Sequence, residues 1–200
     1  MPDALKLDPK KTAFIIIDMV NAIAKGGPGP DYILPDNRKD IVAAFQKMIA
    51  HCRKVGTPLI YITTHRRADN ADGPKTVSDI GGGGGNPMLP GSAAVDVIDE
   101  LAMQPEDFLV VKPRFSAYYG TNLDQILRHL GTETILVGGI STQRSVEGTA
   151  RDAKNRDTQC VVVSDCCTAG EVDVHEMTIN HVLPLLVRVR NTDDTIAALS

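Results

Sequence analysis

The sequence has no tryptophan, few other aromatic residues and no block of like charge. Aromatic residues make up 4% of the chain, and the formal net charge is −4. Proteins that bind nucleic acid or anionic membranes carry clustered lysine and arginine, so neither is an expected partner. No apolar run approaches the length that crosses a bilayer, and residues 1–11 lack the apolar core of a signal peptide.

Cysteine is scarce and irregularly placed, at Cys52, Cys160, Cys166 and Cys167. This spacing matches neither a disulfide framework nor a zinc site, and it indicates reduced thiols in the cytoplasm. Cys166 and Cys167 follow an apolar run, where free cysteines more often pack than react. A chain of 200 residues with 42% hydrophobic content is long enough for one core, so we expect a single domain over residues 1–200.

Apolar runs alternate with segments that are typical of helices. Helices are predicted near residues 36–55, 92–102, 145–156 and 172–182, and from Thr121 and Thr192 onward. Continuous rather than alternating apolarity predicts strands buried on both faces, as in a parallel sheet. Six β-α units in series predict an α/β fold, with a six-stranded parallel sheet and helices on both faces. The predicted strands are Thr12–Asp18, Pro58–Thr63, Phe108–Lys112, Thr134–Val137, Gln159–Ser164 and Leu185–Val189.

A long polar segment separates the second strand from the next helix. It contains five consecutive glycines, Gly81–Gly85, which we interpret as a flexible linker, with a lid as the alternative.

Three chemically useful residues follow three different strands. Asp18 ends the first, Lys112 ends the third, and Ser145 lies in the turn after the fourth. The carboxyl ends of parallel strands share one edge of a sheet, so these side chains are expected to meet there. Alone, each has an ordinary alternative as a loop anchor, a solvated lysine or a helix cap. Together they indicate a nucleophile with a proton-transferring partner.

The loop after Lys112 supplies candidates for substrate binding. Phe115 and Tyr118 could line a pocket, and Arg114 could meet a substrate carboxylate. Ordinary loop packing is the alternative for all three.

Four segments resemble, in order, the four sequence blocks of the isochorismatase-like (cysteine hydrolase) family. They are FIIIDMVNA, VVKPRFSAYYGTNLDQIL, ILVGGISTQRSVEGTARDA and VVVSDCCTA, and together they span nearly the whole chain. The resemblance implies a three-layer α/β/α sandwich of Rossmann-like type. It also implies an enzyme, because amidases of this family use an Asp–Lys–Cys triad.

Asp18 and Lys112 match the first two members of that triad, but Ser145 occupies the cysteine position. The family pattern G-[IV]-x-T-x-x-C-V becomes GISTQRSV here. The serine is compatible with a natural member that lacks the cysteine, an engineered exchange, or a loss of catalysis. We favour the first explanation, because the sequence around Ser145 resembles a bacterial subgroup that also lacks the cysteine.

Serine changes the chemistry of this position. A thiol, with a reference pKa of about 8.5, readily becomes a thiolate beside a lysine, whereas a hydroxyl needs a strong, positioned base. A neutral Lys112 could act as that base, but an ionised Asp18 favours the ammonium form. The alternative keeps Asp18 as general acid or base and leaves Ser145 as a hydrogen-bonding group.

The family resemblance has further implications for the site. It implies a cis peptide bond between Ile140 and Ser141 and an oxyanion hole made by the backbone N–H groups of Ser141 and Ser145. Family nicotinamidases bind a metal through an Asp-x-His motif and a later histidine. This chain has only His65 after the second strand, so we expect no metal and no cofactor, and we place His65 among the substrate-binding candidates.

These observations predict a hydrolase of a small molecule that cleaves an amide or ureido C–N bond. Two alternatives stay open. One is vinyl-ether hydrolysis, as in true isochorismatases, which uses Asp18 without a nucleophile. The other is a catalytically inactive binding or assembly homologue. Family members are usually dimers or tetramers, so a homodimer or homotetramer is expected.

Overall fold

The computed structural model describes residues 5–25, 38–79 and 88–200. The five-glycine run and its two interpretations lie outside the described residues. Where the chain is described, no helix is long and apolar enough to cross a membrane.

Six strands form one parallel sheet in the spatial order β3-β2-β1-β4-β5-β6. This confirms the predicted α/β fold. The order reverses direction between β1 and β4, and in such sheets a ligand-binding crevice opens where neighbouring strands lead to opposite sides. The strands are β1 (Thr12–Ile17), β2 (Leu59–Thr64), β3 (Phe108–Lys112), β4 (Thr134–Ile140), β5 (Gln159–Thr168) and β6 (Arg188–Arg190).

Helices cover both faces of the sheet, and a hydrophobic cluster lies on each side. On one side Phe14 stacks on Phe45 of the long second helix, with ring centroids 5.9 Å apart. On the other side Val146, Ala150 and Ala153 are fully buried, as their small size and helical spacing predict. The helices are α1 (Asn21–Ala24), α2 (Arg38–Val55), α3 (Leu123–His129), α4 (Glu147–Asn155), α5 (Val172–Met177) and α6 (Thr192–Ala198).

Several predicted boundaries are wrong for identifiable reasons. The segment 92–102 forms two short 3₁₀ turns rather than one helix, because Val97 pairs with Val20 and the Ile98 N–H donates to the Met19 carbonyl. Strand β5 continues to Thr168 because its end pairs with the extended end of β4.

The last two helical predictions also change. The predicted helix over 172–182 is α-helical only to Met177 and continues as a π-helical turn, Thr178–Val182. A 3₁₀ turn with Pro184 at its start follows, so the last strand starts at Arg188.

Candidate active site

A buried ion pair stands at the carboxyl edge of the sheet. Asp18 follows β1 directly, and its Oδ2 lies 2.7 Å from Nζ of Lys112, the last residue of β3. Only 5% of the Asp18 side chain and 3% of the Lys112 side chain are exposed. Asp18 has a positive φ of 55°, and its N–H donates to the Ile62 carbonyl of the neighbouring strand. The backbone of Asp18 is therefore fixed at the edge of the sheet.

Thr64 completes this pair. It ends β2, the strand between β1 and β3. Its hydroxyl donates to Asp18 Oδ1 over 3.2 Å and accepts from Lys112 Nζ over 2.9 Å. We did not predict Thr64 as a site residue. The strand-end argument that selects Asp18 and Lys112 applies to it equally and would have identified it.

Ser145 faces the carboxylate. Its hydroxyl donates to Asp18 Oδ2 over 3.3 Å, and the residue is 4% exposed. Ser145 lies in a π-helical turn, Thr142–Val146, rather than in the regular helix predicted to begin there. In this turn the N–H groups of Arg144, Ser145 and Val146 all point to the Ser141 carbonyl. The wide turn brings Ser145 to the edge where Asp18 lies.

Two glycines let the strand before this turn pack closely. A Cβ atom on Gly139, whose φ is 145°, would lie 2.2 Å from the Ile17 carbonyl oxygen. A Cβ atom on Gly138 would lie 2.7 Å from the Cβ of Cys166. A side chain at either position would push β4 away from its neighbours, and with it the turn that carries Ser145.

The peptide bond between Ile140 and Ser141 is cis, as the family resemblance implies. The Ser145 N–H, one of the two proposed oxyanion donors, already donates to the Ser141 carbonyl over 3.1 Å. As an oxyanion donor it would have to share its hydrogen between two acceptors. The oxyanion role of Ser141 and Ser145 stays a prediction.

A cavity of about 240 Å³ opens beside Asp18, Lys112 and Ser145. Ile140, Ser141, Arg114 and Phe115 line it, so these predicted residues do come together with Asp18, Lys112 and Ser145. The remaining described residues of the wall combine apolar and cationic side chains: Ile23, Thr64, Arg66, Pro74, Met88 and Arg144.

The arginines of the wall were only partly predicted. Arg114 was expected, whereas Arg66 and Arg144 were missed, since nothing in a polar loop sequence shows which side it faces. The Arg144 guanidinium lies 5.9 Å from the centre of the Phe115 ring. Burial lowers the pKa of Arg66, and the nearby charge of Arg114 lowers it further.

Two predicted substrate-binding residues do not line this cavity. Tyr118 packs in the core with Leu123 and lies under the Arg156 guanidinium, 4.5 Å from its ring centre. Burial raises the pKa of its phenol. His65 is partly buried next to Arg66, and burial lowers its pKa. The structure therefore places Tyr118 in the core and leaves His65 out of the residues that line this cavity.

A histidine forms a hydrogen bond with the turn that carries Ser145. Nδ1 of His175 lies 2.8 Å from the hydroxyl of Thr142, a fully buried residue at the start of the turn. Burial lowers the pKa of His175, against a smaller opposing effect of Glu176. The imidazole is therefore a partly buried hydrogen-bonding partner of the turn.

The cysteines are poor alternatives to Ser145 as a nucleophile. All four are buried. Burial raises the pKa of Cys52 and of Cys167 to about 12, and that of Cys166 well above its usual value. They pack in the core, as their burial habit predicts.

The comparison with known proteins agrees with this architecture. The family model for the isochorismatase domain matches residues 12–194. An uncharacterized isochorismatase family protein of Escherichia coli O157:H7, YecD, is 31% identical over 98% of this chain and 100% of its own length. The ureidoacrylate amidohydrolase RutB of Acinetobacter baylyi is 29% identical over 90% of this chain and 80% of its own length.

A solved structure shows the same fold. An isochorismatase family protein from Burkholderia thailandensis superposes with a TM-score of 0.86 at 29% identity, over 98% of this chain and 99% of the other. The structure is thus an α/β fold with polar residues at the strand ends, and the homologues show that the protein is a hydrolase. The chain belongs to the isochorismatase family.

Proposed function

We propose that this protein hydrolyses an amide or ureido C–N bond of a small molecule, with Ser145 as nucleophile and Asp18 as general base and acid. The observation that carries the proposal is the hydrogen bond from the Ser145 hydroxyl to Asp18 Oδ2, 3.3 Å long. A nucleophile within hydrogen-bonding reach of a base that is itself oriented by a third group is the usual arrangement for covalent catalysis. Here Lys112 and Thr64 orient the base.

The reaction follows from these contacts. Ser145 Oγ attacks the carbonyl carbon while its proton passes to Asp18 Oδ2. Asp18 then gives this proton to the leaving nitrogen as the C–N bond breaks, which releases ammonia or an amine and leaves an acyl ester on Ser145. Water attacks the ester and passes a proton to Asp18, which returns it to Ser145 Oγ as the acid product leaves.

Lys112 supports this cycle as a cation rather than as a base. Its ammonium donates to both Asp18 and Thr64, so two of its three N–H groups are engaged and its charge is matched. The ion pair holds the carboxylate oxygen towards Ser145 and keeps a positive charge beside the reacting carbonyl.

The relatives support the choice of bond. RutB, whose name states that it acts on ureidoacrylate as an amidohydrolase, is similar over 90% of this chain. A ureido group is small enough for a cavity of about 240 Å³. We therefore propose ureido compounds and primary amides as the substrates to test first.

The test is ammonia release from N-carbamoylglycine and from succinamate, the monoamide of succinic acid. Asp18→Asn should reduce kcat roughly 10²- to 10⁴-fold, the range for loss of a general acid–base. Asp193→Asn serves as control, because this carboxylate is exposed on α6. Full activity in Asp18→Asn would refute the proposal.

Ser145 is tested separately. Ser145→Ala should abolish turnover, and mass spectrometry of the stopped reaction should find the acyl group on the peptide that contains Ser145. If Ser145→Ala retains full activity, water attacks directly and the serine only donates a hydrogen bond. If the wild-type protein is inactive and Ser145→Cys creates amidase activity, hydrolysis through Ser145 is refuted.

A further inference from the structure

Two guanidinium groups in the cavity wall share a single acceptor. Nη1 of Arg66 donates to the Pro113 carbonyl over 2.9 Å, and Nη1 of Arg114 donates to the same oxygen over 2.6 Å. The second contacts are also backbone carbonyls, that of His65 for Arg66 and that of Asp72 for Arg114. Two residues far apart in sequence thus place two positive charges side by side at the cavity.

Neither guanidinium meets a carboxylate within ion-pair distance among residues 5–25, 38–79 and 88–200. Every hydrogen bond that the two guanidinium groups donate to the described residues comes from Nη1. The Nε and Nη2 groups of both side chains therefore have no partner in the described part of the chain. A guanidinium has five N–H donors, and the unused ones form the edge that binds carboxylates in a bidentate manner.

This arrangement costs free energy in the absence of an anion. Arg66 is partly buried, and burial together with the charge of Arg114 lowers its pKa, against smaller opposing effects of Asp72 and Asp18. One arginine would suffice to hold the Pro113 carbonyl, whereas a second one adds repulsion between like charges. An anion between the two removes that repulsion and uses the remaining donors.

We infer that Arg66 and Arg114 bind a carboxylate group of the substrate, so that the substrate is a small carboxylic acid with an amide or ureido group at its other end. The inference rests on the proposed function for the identity of the reacting group. Asp18 and Ser145 line the same cavity, so one molecule can reach both ends. A planar carboxylate matches the flat guanidinium edge, and a cavity of about 240 Å³ suits such a compact acid.

The experiment compares each acid with its neutral methyl ester. Ammonia release is measured from N-carbamoylglycine, succinamate and their methyl esters by the wild-type protein, Arg66→Gln, Arg114→Gln and Arg67→Gln. Arg67 is the matched control, because it carries the same charge on the same loop but pairs with Asp69 at the surface. The wild-type protein should prefer the acids.

Loss of charge-assisted hydrogen bonds should raise KM for the acids roughly 10- to 100-fold in Arg66→Gln and Arg114→Gln. KM for the esters should stay within about twofold, and Arg67→Gln should behave as the wild type. Equal losses for acids and esters would overturn the inference, because they would show that the arginines only support the loop.

A binding measurement separates this inference from the proposed function. Calorimetry with succinamate and with inorganic phosphate is carried out on the wild-type protein and the three arginine variants. In one outcome, no ammonia is released, succinamate binds to the wild-type protein, and both cavity variants, Arg66→Gln and Arg114→Gln, lose binding. The carboxylate site then stands and the proposed reaction fails. If succinamate is cleaved but neither cavity variant weakens its binding, the reaction stands and the inference fails. Binding of phosphate in place of succinamate would also overturn it.

Discussion

The hydroxyl of Ser145 donates its hydrogen bond to Oδ2 of Asp18. The same oxygen accepts from the Lys112 ammonium, so the serine hydroxyl is hydrogen-bonded to the carboxylate and not to the lysine. This resolves, within the proposed mechanism, the conflict between a neutral lysine and a neighbouring aspartate.

Removal of Lys112 should destabilise the protein strongly. Lys112→Met leaves the buried Asp18 carboxylate without its counter-charge, and breaking a buried pair in this way costs about 3–5 kcal/mol. The free energy of unfolding, measured by urea denaturation, should fall by this amount. The double variant Lys112→Met/Asp18→Asn should recover much of the stability but no activity. If the single variant is as stable as the wild type, the ion pair does not form in solution.

Removal of the Thr64 hydroxyl should lower kcat, beyond any effect that it has on the free energy of unfolding. Thr64→Val removes the hydroxyl that links Asp18 to Lys112. A lost hydrogen bond to a charged group costs about 1.5 kcal/mol or more, which corresponds to roughly tenfold in kcat if it acts on the transition state. KM should change little.

The neighbouring residue Thr63 provides the control for this prediction. Its hydroxyl is also buried but donates to the Val95 carbonyl, away from the ion pair. Thr63→Val should lower the free energy of unfolding to a similar degree while kcat stays near the wild-type value. Equal kcat values for the two variants would contradict a specific role of Thr64.

Gly139 should tolerate no side chain. Gly139→Ala places a Cβ atom 2.2 Å from the Ile17 carbonyl oxygen, so β4 must move away from β1. We expect a loss of more than about 4 kcal/mol in unfolding free energy, the range of severe core defects. Gly56 also has a positive φ, but a Cβ atom there meets nothing within 4 Å. Gly56→Ala should therefore cost only about 1–2 kcal/mol, the strain of a left-handed residue with a Cβ atom, and equal losses in both variants would show that contact with Ile17 is unimportant.

The His175 imidazole should make stability depend on pH. Its folded-state pKa is lowered by burial, so the unfolded chain binds the proton more tightly. The stability that this group contributes is therefore fully present above the unfolded-state pKa of about 6.5. It falls as the pH drops below that value, by at most ~1.4 kcal/mol per pH unit.

His175→Gln isolates this contribution from other titrating groups. The stability advantage of the wild type over the variant should shrink from pH 7.5 to pH 5.5. In the wild type, protonation of the imidazole favours the unfolded chain, whereas glutamine does not titrate. His181, one turn and a half further along and exposed, gives the control variant His181→Gln. A difference that grows at low pH would contradict the assignment of a lowered pKa to His175.

Strand positions and the site edge could be predicted because each depends on local pattern. Phe108–Lys112 is a strand with the predicted bounds, since a short apolar run between polar loops has few other ways to bury itself. Asp18, Lys112 and Ser145 meet because parallel strands end at a common edge. The π-helical turn at Thr142 was not predictable in this way, because it depends on three N–H groups converging on one carbonyl.

The side on which a loop residue lies could not be predicted. Tyr118 and Arg114 belong to one loop, yet Tyr118 packs in the core and Arg114 lines the cavity. Their placement depends on what lies above and below the loop, including Arg156 and Asp72. Sequence spacing in an irregular segment carries no such information.

By itself, the sequence determined the α/β fold, the family and the edge of the sheet where acid, lysine and serine lie. Periodic apolarity and motif order carry that information along the chain. Only the tertiary structure decided which oxygen Ser145 faces, that Thr64 bridges the ion pair, and that Arg66 and Arg114 share the Pro113 carbonyl. These contacts join residues from different strands and loops, and their geometry exists only once the sheet has brought those elements together.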